Sequence, residues 1–214
     1  KDESATSLDL TKLGLTAVPP EIGHLTELRV LELSENELTS VPPEISQLIR
    51  LERLYLDQNQ LTEVSPEIGQ LTALKRLILF DNQLKLIPPE IWRLKSLIEL
   101  ELGINQLKAI SSEIGELTEL YSLILNQNQL TSVPFEITQL TKLEELWLMD
   151  NPDLSIPPEI VEQMDNAQAI LDYLRERQDT LARPLNEAKL ILVGQGGVGK
   201  TSLVKRLLGQ EFDE

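Results

Sequence analysis

The chain repeats itself every 23 residues. "LRVLELSENELTSVPPEISQLIR" begins at Leu28, and the same template begins again at Leu51, Leu74, Leu97, Leu120 and Leu143, with a degenerate first copy from Ala5. The shared pattern is L-x-x-L-x-L-x-x-N-x-L-x-x-[VI]-P-P-E-I-x-x-L. A unit this short cannot bury its own leucines, so each copy must stack on the next and the stack must supply one continuous core.

Within each copy, L-x-L reads as a short strand with alternate residues buried. Asn36, Asn59, Asn82, Asn105, Asn128 and Asn151 mark the turn that follows. Their amides, held in register, can bond the backbone of neighbouring coils and form a ladder. The [VI]-P-P-E-I run then builds an extended or short helical return, where proline needs no strand partner. Strands ~4.8 Å apart would make a parallel sheet ~30 Å wide over the seven copies. The first and last copies depart from the template, as copies lacking one neighbour are expected to do. Leu13 stands where the first Asn should be and Ala5 where the first Leu should be. In "NPDLSIPPEI", Leu154 comes one place late, Ile156 restores the register, and Gln163 replaces the final Leu.

Over residues 5–163 this pattern resembles the leucine-rich repeat family. The resemblance implies an α/β repeat solenoid, a horseshoe with a parallel sheet on its concave face. The organisation expected is a solenoid over 1–163, a capping or linker helix over 164–184 and a third segment over 185–214. In "DNAQAILDYLRERQDTLARP", Asp165 or Asn166 can cap the helix, while Ile170, Leu171, Leu174 and Leu181 give it an apolar stripe. The stripe favours capping of the open solenoid end over a solvated linker.

Strand alternation turns the non-leucine positions away from the core, and in the resembling family these face the concave side. Two outward columns result: Asp9, Glu32, Tyr55, Ile78, Glu101, Ile124 and Trp147, then Thr11, Ser34, Asp57, Phe80, Gly103, Asn126 and Met149. A solvated face does not need Tyr55, Ile78, Phe80, Ile124, Trp147 and Met149. They read as a binding or dimer surface with Phe80 and Trp147 as anchors, for a protein partner, another part of the same chain or a second copy. Plain strand propensity is the competing explanation, and burial of Trp147 under the tail is another. A further column, Glu21, Glu44, Glu67, Glu90, Glu113, Glu136 and Glu159, reads as a solvated acidic edge; no calcium-loop glycine accompanies it. Trp92 stands where other copies have Gly, Ser, Thr or Val, leaving open a lone exposed aromatic or an outer-face contact.

Composition narrows the function. Lys and Arg total 19 against 35 Asp and Glu, a formal charge of −16, which disfavours nucleic acid and anionic membrane surfaces as partners. The chain has no cysteine, and His24 is its single histidine, so disulfides, thiolate metal sites and His-rich sites are excluded. No apolar run reaches the ~20 residues of a membrane span. "KDESATS" is not a signal peptide, and no Asn opens an N-x-[ST] site. A cytoplasmic protein is expected.

The third segment, "LNEAKLILVGQGGVGKTSLVKRLLGQEF", reads as strand, loop and helix. Its loop matches G-x-x-x-x-G-K-[ST]. Gly194, Gly196, Gly197, Val198 and Gly199 would turn backbone N–H groups toward phosphate oxygens, and Ser202 completes the phosphate-binding set, with the helix running from about Lys200 to Leu208. Lys200 would reach the β- and γ-phosphates, and the Thr201 hydroxyl would ligate Mg²⁺. The wording "GQGGVGKTSLVKRLLGQEF" resembles the start of a Ras-like GTPase. With repeats ahead of it, the chain resembles the Roco family, in which such repeats precede a Roc GTPase domain and a COR dimerisation domain. That resemblance implies GTP or GDP and Mg²⁺ in an intact parent, with the repeats regulating the G domain. Residues 185–214 cover only the first strand, loop and helix of Roc, without a D-x-x-G turn or an N-K-x-D base-reading motif. A truncated, non-catalytic fragment without cofactor is therefore expected. The alternatives are a nucleotide-binding P-loop GTPase completed by a dimer partner, or a scaffold with a vestigial loop. The apolar Leu190, Ile191, Leu192 and Val193 would lack the rest of their sheet, and intermolecular contact is the expected outcome.

Overall fold

A computed structural model describes residues 6–162 and 167–182. Residues 1–178 form one unit and residues 179–214 a second. The second lies outside the described residues apart from the end of one helix. The phosphate-loop residues Gly194 to Ser202, the strand Leu190–Val193, and Asp165 and Asn166 all lie outside them as well.

Seven three-residue strands form one parallel sheet in chain order: β1 (Ser7–Asp9), β2 (Val30–Glu32), β3 (Arg53–Tyr55), β4 (Arg76–Ile78), β5 (Glu99–Glu101), β6 (Ser122–Ile124) and β7 (Glu145–Trp147). The register steps by one repeat at every pairing, so Leu8, Leu31, Leu54, Leu77, Leu100, Leu123 and Leu146 lie in one line. The return path is a 3-10 helix of five residues in each of the first six repeats, such as Pro43–Gln47 and Pro66–Gln70. Proline fits here because the first residues of a helix need no intrahelical N–H bond. In the fifth repeat, Ser-Ser replaces Pro-Pro and the Ser111 hydroxyl accepts from Glu113 N–H at 3.4 Å, acting as a cap.

The core runs between sheet and 3-10 helices. Leu31, Leu54, Leu77, Leu100 and Leu123 from the strands, and Ile45, Ile68, Ile91, Ile114 and Ile137 from the returns, have no exposed surface. The last repeat carries α1 (Pro158–Val161) in place of a 3-10 helix, and α2 (Ala167–Ala182) follows. Ala167, Ile170, Leu171 and Leu174 of α2 are buried in the same cluster as the repeat leucines, as the apolar stripe required. Arg175 Nη2 donates to Thr138 O at 3.1 Å and Arg177 Nη1 to Ser155 O at 3.2 Å, tying α2 to the last two coils.

The asparagine ladder is present in every full repeat. Asn82 Oδ1 accepts from Leu61 N–H at 3.0 Å, and its Nδ2 donates to Leu56 O at 3.0 Å, both in the coil before. The same Nδ2 lies 3.1 Å from Leu79 O in its own coil. Asn59, Asn105, Asn128 and Asn151 repeat this geometry. Asn36 makes the same two bonds, from Leu15 N–H and to Leu10 O, and accepts from Leu13 N–H as well. That Leu13 is exposed. The residue before each ladder position turns the chain with positive φ: Lys12, Glu35, Gln58, Asp81, Ile104, Gln127 and Asp150. Ile104 is the costly member, since a β-branched residue resists φ of 50°.

Trp92 is neither of the two things expected of it. It is only 2% exposed and belongs to the core cluster. Its equivalents Gly69 and Gly115 sit so close to the next coil that a Cβ would come 2.5 Å from Glu90 O and 2.8 Å from Glu136 O. The 3-10 helices of the fourth and fifth repeats approach each other less closely than other neighbouring pairs, which makes room for the indole. Its Nε1–H is buried without a partner.

Replacing Asn82 by Ala strands Leu61 N–H inside the stack, while Leu56 O keeps only the bond from Asn59 Nδ2. The expected cost is about 2–4 kcal/mol in urea unfolding. Ala at the adjacent exposed Gln83 is expected to stay within ~0.5 kcal/mol of the parent. A loss below ~1 kcal/mol for Asn82→Ala would contradict a structural role for the ladder.

Candidate functional site

Parallel register sets one residue of each repeat beside its equivalent on the concave face. Val30, Arg53, Arg76, Glu99, Ser122 and Glu145 form one column, and Glu32, Tyr55, Ile78, Glu101, Ile124 and Trp147 the next. A third column, two residues further along each coil, holds Asp57, Phe80, Gly103, Asn126 and Met149. The six residues expected to bind a partner therefore share one face, spread over β3 to β7 and the turns after them.

Their exposure differs. Trp147 is the most open at 36%; the tail, the alternative cover for it, lies outside the described residues. Tyr55, Phe80 and Met149 are half-buried. Ile78 and Ile124 are buried, at 7% and 8%, and offer little surface of their own. Neighbouring coils stand only ~4.8 Å apart on this face, so a branched aliphatic between longer side chains is shielded. The apolar contact area falls on Tyr55, Phe80, Trp147 and Met149, with the isoleucines as its floor.

Gly103 shapes the middle of the face. A Cβ at this position would lie 2.5 Å from Asn126 Oδ1 and 3.0 Å from the Phe80 ring. Without one, Phe80 and Asn126 converge from the two flanking coils. Asn126 Oδ1 is buried there and accepts no hydrogen bond.

The polar groups are organised around this centre. Arg76 pairs with Glu99 at 2.8 Å and hydrogen-bonds Tyr55. Ser34 Oγ donates to Asp57 at 2.6 Å. Glu101 lies between Ile78 and Ile124 in register. Burial pushes its carboxyl up to about 7. The charge of Glu99, a hydrogen bond to Glu99 that only a protonated carboxyl can donate, and the charges of Asp57 and Glu145 add to the rise. Sequence reasoning placed Glu101 in the outward column but singled out only its apolar neighbours. A carboxylate between two isoleucines of one column was the signal.

The acidic edge lies elsewhere. Glu21, Glu44, Glu67, Glu90, Glu113 and Glu136 fall in the first turn of successive 3-10 helices, and Glu159 in that of α1. The Ser65 hydroxyl beside Glu67 holds that carboxyl below its usual range. Among the described residues no group of carboxylates and histidine has the arrangement to hold a metal ion, and no helix is long and apolar enough to cross a membrane.

The family model for leucine rich repeats matches residues 3–61 and 49–107. Comparison with curated proteins gives no match. Among solved structures, a leucine-rich repeat protein of Leptospira interrogans is 41% identical, over 71% of this chain and 44% of its own, with a TM-score of 0.58. The leucine-rich repeat ectodomain of a plant membrane receptor kinase from Arabidopsis thaliana, solved in complex with Casparian strip integrity factor 2, is 30% identical. That match covers 69% of this chain and 21% of the ectodomain, at a TM-score of 0.62. An internalin from Listeria monocytogenes is 27% identical over 76% of this chain and 46% of its own, at 0.61. The chain spans less than half the length of each of these three proteins.

Glu101 makes stability depend on pH. Its folded-state pKa lies above the unfolded value, so the folded chain holds this proton more tightly. The contribution is complete below about 4.5 and is lost as pH rises through about 7. Discounted for the solvent that still reaches the group, the loss is on the order of 1 kcal/mol. Glu101→Gln is expected to unfold at a higher temperature than the parent at pH 8 and at the same temperature at pH 4.5. Parallel behaviour of the two proteins across that range would contradict the assignment.

Proposed function

The chain belongs to the leucine-rich repeat proteins, and we propose that its repeats act as a protein-interaction module through the concave face. The observation that carries this reading is the cluster of Tyr55, Phe80, Trp147 and Met149 on an ordered sheet face that has no structural need of them. Each is held by a strand or by the turn directly after it, so the surface is presented already formed and costs little to order on binding. A receptor ectodomain among the similar structures was solved with its ligand bound, which supports the same use of the scaffold.

The parent of this module is, in the same proposal, a Roco-type GTP-binding signalling protein acting in the cytoplasm. Support comes from Gly194, Gly196, Gly197, Val198, Gly199, Lys200, Thr201 and Ser202, which match a phosphate loop that follows the repeat array and its helix in sequence. Backbone N–H groups of the loop and the Lys200 ammonium would hold the GTP or GDP phosphates, and Thr201 would contribute its hydroxyl to Mg²⁺. The repeats themselves carry out no reaction. They bind a protein partner, the G domain of the same chain, or a second copy.

Two experiments test the two halves. Trp147→Glu combined with Phe80→Glu is expected to keep the far-ultraviolet circular dichroism of the parent and to lower partner or self-association at least tenfold. Unchanged association would remove the concave face from the account. In the intact protein, Lys200→Ala is expected to reduce binding of a fluorescent GDP at least a hundredfold. The 214-residue chain alone is expected not to hydrolyse GTP. Nucleotide binding indifferent to Lys200 would contradict the Roco reading.

A further inference from the structure

Glu101 occupies the place where an apolar residue would complete the concave patch. In register it has Ile78 on one side and Ile124 on the other, and Trp147 lies one strand further on. Other inter-coil carboxylates have their cations: Glu52 has Arg29 and Lys75, Glu99 has Arg76, and Glu119 has Lys142. Among the described residues Glu101 has no direct ion pair; Arg76 in the adjacent coil acts on it only through space. Glu99, Asp57 and Glu145 deepen the negative potential around it, and the Arg76 guanidinium is engaged by Glu99 and Tyr55. Two residues along the same coil, over Gly103, Asn126 Oδ1 is buried without a donor. The centre of the patch thus holds a carboxyl lacking a cation and an amide oxygen lacking a donor, with aromatic surface to either side.

We propose that this face takes an extended segment of a partner protein in which a lysine or arginine stands between apolar residues. The cation seats on Glu101, and the Asn126 amide turns its unused oxygen toward the incoming N–H. One apolar neighbour rests on Phe80 and the other on Trp147 and Met149. This assignment rests on the concave face being the binding surface and names what that surface selects.

Charge and spacing both favour such an occupant. The chain carries a formal charge of −16, so a basic segment is attracted from a distance, while the apolar flanks reject a purely polar one. From β4 to β7 is roughly 14 Å, at ~4.8 Å per strand. An extended segment rising ~3.3 Å per residue crosses that span in about five residues, with alternate side chains facing the sheet. The pattern selected is apolar, any, basic, any, apolar. Seating the cation ionises Glu101, so binding strengthens as pH rises through about 7. The charged and titratable groups facing Glu101 are Glu99 on its own strand, Asp57 and Tyr55 from the third coil, Arg76 from β4 and Glu145 from β7.

The test uses the full chain as bait for a random dodecapeptide display library, followed by titration of the consensus peptide. The expected consensus has one Lys or Arg flanked at two residues by apolar side chains. Glu101→Gln is expected to weaken the peptide at least tenfold, as is replacing the peptide's basic residue by methionine, and the two changes together are expected to cost no more than either alone. The distant Glu21→Gln is expected to have no effect. The parent chain is expected to bind several-fold more weakly at pH 5.5 than at pH 8, a difference that disappears in Glu101→Gln. Peptides that Trp147→Glu with Phe80→Glu abolishes, but that lack a basic residue or ignore Glu101→Gln, would overturn this proposal and leave the concave-face reading standing. Peptides bound undiminished by that double variant would overturn both.

Discussion

Beyond the backbone bonds of the sheet, each coil from the second onward is pinned to the one before it by an asparagine amide. One side chain accepts an N–H and donates to a C=O of the preceding coil, and the same amide group reaches a carbonyl of its own coil. These backbone groups lie where the chain turns out of its strand, and each buried unpaired would cost about 1–3 kcal/mol. The ladder lets a coil of 23 residues turn inside a dry core and still match its neighbour in register. Leucine burial drives the stacking; the amides decide how each coil sits on the next.

A regular stack leaves a regular face. Since every strand is in register, a position in one repeat has its equivalents as immediate neighbours, and side chains far apart in sequence become a column. That is how Ile78, Glu101, Ile124 and Trp147 come to be adjacent. The core leucines leave these outward positions free to vary, so specificity can change there without disturbing the fold. Across-coil ion pairs such as Arg76 with Glu99 contribute little to stability at the surface but orient the charges that a partner meets.

The period made most of the fold legible. A fixed step between equivalent leucines gives strand order, register and core together, and the stripe Ile170, Leu171 and Leu174 favoured a helix packed on the repeats, where those residues are buried. What stayed hidden depends on contacts between coils that a single repeat does not describe. Trp92 replaces a small residue, and only the separation of two 3-10 segments shows that the indole goes inward. Ile78 and Ile124 occupy outward positions yet are covered by side chains of adjacent coils. Glu101 is one acid among many in the sequence. Its raised pKa arises from burial in the patch, from Glu99 on its own strand, and from Asp57 and Glu145 brought near by the register.

Hydrogen–deuterium exchange of the chain with and without a bound partner tests the central claim most directly. The account predicts new protection in β4 to β7 and in the turns that follow them, from Phe80 to Met149, with the 3-10 helices unchanged. Protection confined to the 3-10 side, with the strands exchanging as in the free chain, would contradict it.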